Sequence, residues 1–133
     1  GTIELDNYLN TQIDCKNYDF IQMTPGLFDV KNTHFLNANQ CTLILGGEKL
    51  SRSALQSGLN TFKEVINAYG PTETTIWSTA KLYNKDNTDI NHEILSIGKP
   101  LSNEKAYILD KQLNPVPVGV TGDLYIGGSC LST

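Results

Sequence analysis

Apolar residues along the chain fall into short runs separated by turn-forming residues, and the spacing within those runs changes along the sequence. Near the amino terminus Leu5, Tyr8, Leu9 and Ile13 recur at helical spacing from Ile3 onward. This predicts a short amphipathic helix ending before Asp14-Cys15-Lys16-Asn17. Tyr18 to Met23 is strand-like, and Thr24-Pro25 suits the cap and first position of a helix running through Phe28 and Val30. Cys41-Thr42-Leu43-Ile44-Leu45 is a second apolar strand, stopped by Gly46-Gly47. Ser51 is placed to cap another helix, on which Leu55, Leu59 and Phe62 share one face. A third strand, Glu64 to Ala68, runs into a turn, and a further β-rich run covers Thr75 to Tyr83.

Strands and helices that alternate with short connections predict an α/β fold: a small parallel flavodoxin-like sheet with covering helices and right-handed crossovers. Loops at the carboxyl ends of such strands converge. Gln22, the Ile44 to Gly47 exit and the Asn67 to Trp77 segment are therefore expected around one cleft, where open α/β sheets bind ligands. After Tyr83 the composition turns polar through Asn84-Lys85-Asp86-Asn87-Thr88-Asp89, and no amphipathic helix follows. Leu95-Ser96-Ile97, Lys105 to Leu109 and Asp123 to Ile126 read as strands joined by Pro-, Asn- and Gly-bearing turns. The chain divides on this reading into residues 1–83, an α/β part, and 84–133, a short β-rich part.

Bulk properties narrow the choice of partner. With 133 residues, 39% of them hydrophobic, the chain is long enough for one core. A formal charge of −4 with scattered Lys and Arg provides no basic stripe, which argues against nucleic acid or an anionic membrane as partner. Cys15, Cys41 and Cys130 are odd in number and widely spaced. They predict reduced packing thiols rather than a disulfide frame or a zinc site. Neither a secretion signal nor a membrane-spanning apolar run is visible, so a cytoplasmic location is expected. His34 and His92 have no second ligand at metal spacing, and Gly-x-Ser-x-Gly, GxGxxG and Walker-type loops are missing.

The chemistry concentrates in Asn67-Ala68-Tyr69-Gly70-Pro71-Thr72-Glu73-Thr74-Thr75. Tyr69 can offer a ring face to a base, Thr72 can donate to a phosphate, and Glu73 can supply a hard oxygen to Mg²⁺. Alone, such a pentapeptide is also compatible with an ordinary turn carrying a solvated glutamate. The motif closely resembles the central motif of adenylate-forming enzymes, and its proline is similar to that of the amino-acid-activating adenylation domains of nonribosomal peptide synthetases. Ile97-Gly98-Lys99-Pro100, Val116-Pro117-Val118-Gly119 and Gly122 to Gly128 resemble the same family in the same order.

The resemblance implies ATP and Mg²⁺ as cofactors and assigns roles by position. Tyr69 would stack on adenine, with Asn67 and the backbone of Gly47 at its edge. Thr72 would contact the α-phosphate, Glu73 would hold the metal, and both are expected to serve catalysis. Gln22, Ile44, Gly46, Ala68, Ile76 and Trp77 match the specificity-determining positions, in a combination that resembles glycine-activating domains. An indole and two branched side chains around one chamber leave little room for a substrate side chain. Glu48 is compatible with a structural pairing, a solvated acid or a site role.

The same resemblance implies that a parent enzyme converts an amino acid and ATP to aminoacyl-AMP and pyrophosphate, then passes the acyl group to the phosphopantetheine thiol of a carrier domain. The family's phosphate loop, ammonium-binding aspartate, ribose-binding aspartate and carboxy-terminal lysine have no counterpart in the chain. Residues 84–133 would then begin a β-barrel-like subdomain that breaks off, and the isolated piece is expected to need the remainder of the adenylation domain and to be inactive. The competing readings are a non-catalytic folded subdomain that only packs or weakly binds nucleotide, and part of an acyl- or aryl-CoA ligase.

Overall fold

A computed structural model describes residues 11–31, 34–71, 77–86 and 94–129. Strand β2 (Phe20–Met23) leads into helix α1 (Pro25–Lys31), whose Leu27 N–H donates to the Thr24 hydroxyl at 3.3 Å. Strand β4 (Thr42–Gly46) precedes helix α2 (Arg52–Thr61), capped at 3.0 Å by Ser51 Oγ accepting the Ala54 N–H. Strand β5 (Glu64–Tyr69) follows and turns back into β6 (Thr79–Tyr83). The sheet order is β2-β4-β5-β6-β7, with β7 being Lys99–Pro100. Strands β2, β4 and β5 are parallel, as the alternation predicts, whereas β6 and β7 pair antiparallel. The sheet thus draws its last strand from beyond the expected boundary at 83/84.

Parallel neighbours in sequence order, each joined by a right-handed crossover, put both helices on the same face of the sheet. That face holds the core: Phe28 of α1 and Leu55 of α2 are fully buried with Leu43, Leu45 and Val65. Phe28, Phe35 and Phe62 pack ring against ring with centroids 5.1 to 6.2 Å apart. Gly58 lets α2 approach the sheet, since a Cβ there would lie 2.8 Å from Val65 Cγ2.

Two local expectations fail. Ile13 does not end a helix; with Asp14 it forms strand β1, parallel to β3 (Phe35–Leu36), Thr11 and Gln12 are not helical either, and the part of the expected helix before Thr11 lies outside the described residues. The Ile13 N–H bonds the His34 carbonyl at 2.7 Å and the Cys15 N–H bonds that of Leu36 at 2.8 Å, so distant pairing decides the conformation. Leu95-Ser96-Ile97 is not a strand either, because side chains rather than a neighbouring strand take up its carbonyls. Beyond it, β8 (Glu104–Leu109) and β9 (Asp123–Gly128) form the antiparallel hairpin that their alternation predicts.

Candidate functional site

The carboxyl ends of β2, β4 and β5 lie side by side. Gln22 is in register with Ile44, and Ile44 with Ile66, so all three share the sheet face opposite the helices. Gly46 and Ala68 are paired two residues further along that face. Trp77 lies over them: a Cβ at Gly46 would meet Trp77 Cζ3 at 2.5 Å and the Ala68 carbonyl at 2.7 Å. Five of the six expected substrate-pocket residues are therefore on one face. The sixth, Ile76, lies outside the described residues, as do Thr72 and Glu73.

A concavity opens beside the same strand ends. This pocket of about 530 Å³ is lined by Gly47 to Leu50 after β4, by Asn67 to Pro71 at the end of β5, and by Leu95 and Ile97. Tyr69 keeps 38% of its surface exposed there, while Asn67 is only 5% exposed. Gly47 has φ +85°, a left-handed conformation that favours glycine. All three expected adenine contacts among the described residues, Gly47, Asn67 and Tyr69, thus line one cavity. Ala68 belongs to both places, lining the cavity and backing Gly46.

The motif alone does not reveal the pocket's far wall. Ser96 accepts at its carbonyl from Asn67 Nδ2 at 2.9 Å and from the Tyr83 hydroxyl at 3.2 Å. The Thr79 hydroxyl donates to the Ile97 carbonyl at 2.7 Å. Gly98, at φ +87°, passes so close to β6 that a Cβ would overlap the Ala80 carbonyl. The resemblance at Ile97-Gly98-Lys99-Pro100 flagged this segment without showing that it closes a cavity.

Glu48 also has a defined contact: its Oε2 accepts the Gly26 N–H at 3.0 Å, tying the loop after β4 to the first turn of α1. Cys15 and Cys41 are buried free thiols, as expected, and Cys130 lies outside the described residues. Burial pushes the Cys15 thiol up to about 11, with Cys41 adding to the rise, and burial also raises Cys41, so both remain protonated at neutral pH. Burial raises the Tyr83 phenol, although its bond to Ser96 opposes the shift. Among the described residues no group of three His, Cys, Asp or Glu is placed to hold a metal, and no helix is long and apolar enough to cross a membrane.

A cavity of about 530 Å³ at parallel strand tips, next to the face on which Trp77 covers Gly46, is the arrangement in which open α/β sheets bind ligands. The chain belongs to the AMP-binding enzyme family, whose profile matches residues 13–133. Within that family it is an adenylation-domain segment of the nonribosomal peptide synthetase type. Malpinin synthetase from Mortierella alpina is 44% identical over 90 residues, covering 66% of this chain and 1% of that protein. Bacitracin synthase 3 from Bacillus licheniformis is 36% identical over 118 residues, 83% of this chain and 2% of the relative. A four-domain nonribosomal peptide synthetase solved with AMP and glycine superposes with TM-score 0.76 at 35% identity, over 97% of this chain and 9% of its own. The amino-terminal subdomain of NpsA from Klebsiella oxytoca shares the fold at TM-score 0.75 and 18% identity, over 98% of this chain and 34% of its own. This chain thus spans a small part of the proteins it matches.

Proposed function

We propose that the protein carrying this segment activates a small amino acid, glycine above all, with ATP. The amino-acid carboxylate attacks the α-phosphorus, the bond from that phosphorus to the oxygen bridging to the β-phosphate breaks, and pyrophosphate leaves with the electron pair. The thiol of a phosphopantetheine carrier then attacks the acyl carbon, and AMP departs. The observation that carries this reading is the adjacency of two sites around Ala68: the cavity lined by Tyr69, and the face on which Trp77 covers Gly46.

Tyr69 presents a half-open ring suited to stacking on adenine. Asn67 has its amide nitrogen committed to Ser96, so its amide oxygen is the acceptor that remains for the adenine amino group. The glycine backbone at position 47 lets a base approach closely. Thr72 is assigned to the α-phosphate and Glu73 to Mg²⁺ by their positions in the motif. Magnesium would offset phosphate charge in the transition state and on the leaving pyrophosphate. A small substrate is supported by the indole against Gly46, which occupies volume that a larger amino-acid side chain would need. The similar structure solved with AMP and glycine points the same way.

Amino-acid-dependent ATP–pyrophosphate exchange by the full-length protein tests the reading. Glycine should give the fastest exchange, with alanine behind it and leucine or phenylalanine at background. A pocket that excludes by volume distinguishes about 1–3 kcal/mol per methylene, so alanine is rejected only modestly. Exchange with an aryl or fatty acid but with no amino acid would instead favour the ligase reading. The 133-residue chain alone is proposed not to turn over; robust exchange by it with glycine would overturn that part.

A further inference from the structure

We propose that Thr79 and Tyr83, two residues of β6 outside the motif, Thr79 lying opposite Tyr69 in the ladder, are positioning residues for the nucleotide pocket, acting through the backbone of Ser96 and Ile97. This rests on the nucleotide reading given above. Both side chains are buried on the helix side of the sheet, and both spend their hydroxyl on the same short segment: Thr79 on the Ile97 carbonyl at 2.7 Å, Tyr83 on that of Ser96 at 3.2 Å. Asn67, itself a pocket residue, shares the Ser96 carbonyl. From the opposite end, Gly98 is pressed against the Ala80 carbonyl, and its N–H donates to the Ser96 hydroxyl at 3.0 Å.

The segment so held carries Leu95 and Ile97, which wall the cavity opposite in sequence to Tyr69. It belongs to no strand, so side-chain donors from β5 and β6 replace ladder hydrogen bonds in fixing its position. Removing the Thr79 hydroxyl takes away the side-chain donor of the Ile97 carbonyl, and removing that of Tyr83 leaves the Ser96 carbonyl to Asn67; either loosens the wall and weakens nucleotide binding without changing the face around Gly46 and Trp77.

The test is steady-state pyrophosphate exchange by the full-length protein, with KM for ATP and KM for glycine measured separately. Thr79→Val keeps the shape and loses the hydroxyl, and should raise KM for ATP about three- to tenfold. KM for glycine and kcat should stay within about twofold. Thr79→Ser, which restores the hydroxyl, should recover the wild-type KM for ATP. Tyr83→Phe should act in the same direction but less, about two- to threefold, because Ser96 keeps Asn67 as donor. Thr42→Val removes a 2.8 Å bond to Glu64 on the other face of the sheet and controls for general loss of stability. If both KM values rise together, or if kcat alone falls as in the control, the positioning role is wrong. If Thr79→Val does not fold, Tyr83→Phe carries the same comparison. A wild-type protein without ATP-dependent exchange would reject the nucleotide reading and this proposal with it.

Discussion

The two faces of the central sheet are built from alternate residues of the same strands, yet they do different work. On the helix face Leu43, Leu45 and Val65 are sealed beneath α1 and α2. On the other face Ile44 and Ile66 are only half-buried, Phe20 is 61% exposed and Leu82 41% exposed. One face therefore holds the fold together, and the other keeps its apolar side chains accessible around Gly46 and Trp77. A strand such as β4 serves both ends because successive side chains point to opposite sides. At the tip of β5 the two faces come closest: Asn67 lines the cavity beside the strand ends, and Ala68 both lines it and backs Gly46 beneath Trp77.

The contrast breaks most readily at adjacent residues of β4. Leu43→Ala should destabilise the full-length protein by about 2–5 kcal/mol in denaturant unfolding, through lost burial and the cavity left behind. Ile44→Ala, one residue on, should cost less than half of that and appear mainly as altered amino-acid preference. Equal losses at both positions would erase the distinction between the faces. Next in size is Trp77→Ser, which should shift the preference from glycine toward larger amino acids by about 1–3 kcal/mol, read from kcat/KM across a panel. An unchanged preference would remove the volume explanation.

Loss of the α2 cap is smaller. Ser51→Ala should lower stability by about 1 kcal/mol while leaving amino-acid preference untouched, because the cap serves the helix face. The weakest effect at neutral pH belongs to the thiols. The Cys15 pKa is raised on folding, so the stability it contributes is complete below the unfolded thiol value of 9.0 and is lost as pH rises toward about 11. Unfolding followed from pH 8 to 11 should show this decline, and Cys15→Ala should flatten it.

Much of this arrangement was legible in the residues because it depends on local signals. Thr24-Pro25 and Ser51 announce helix starts, and the apolar runs before Gly46 and through Val65 announce buried strands. Placing the strand tips together followed from parallel topology alone. What escaped depends on contacts between distant parts of the chain. Ile13 keeps helical spacing yet pairs with Phe35, and Leu95 to Ile97 alternates like a strand yet is secured by Asn67, Thr79 and Tyr83. Glu48 left several roles open in the sequence, and only the fold shows it reaching the Gly26 N–H.

The most direct test is a crystal structure of the full-length protein with a non-hydrolysable glycyl-adenylate analogue. The account predicts adenine stacked on Tyr69 with its amino group at the Asn67 amide oxygen, and the glycyl α-carbon against the Trp77 indole above Gly46. Adenine bound away from Tyr69, or a glycyl group on the far side of the sheet from Trp77, would contradict it.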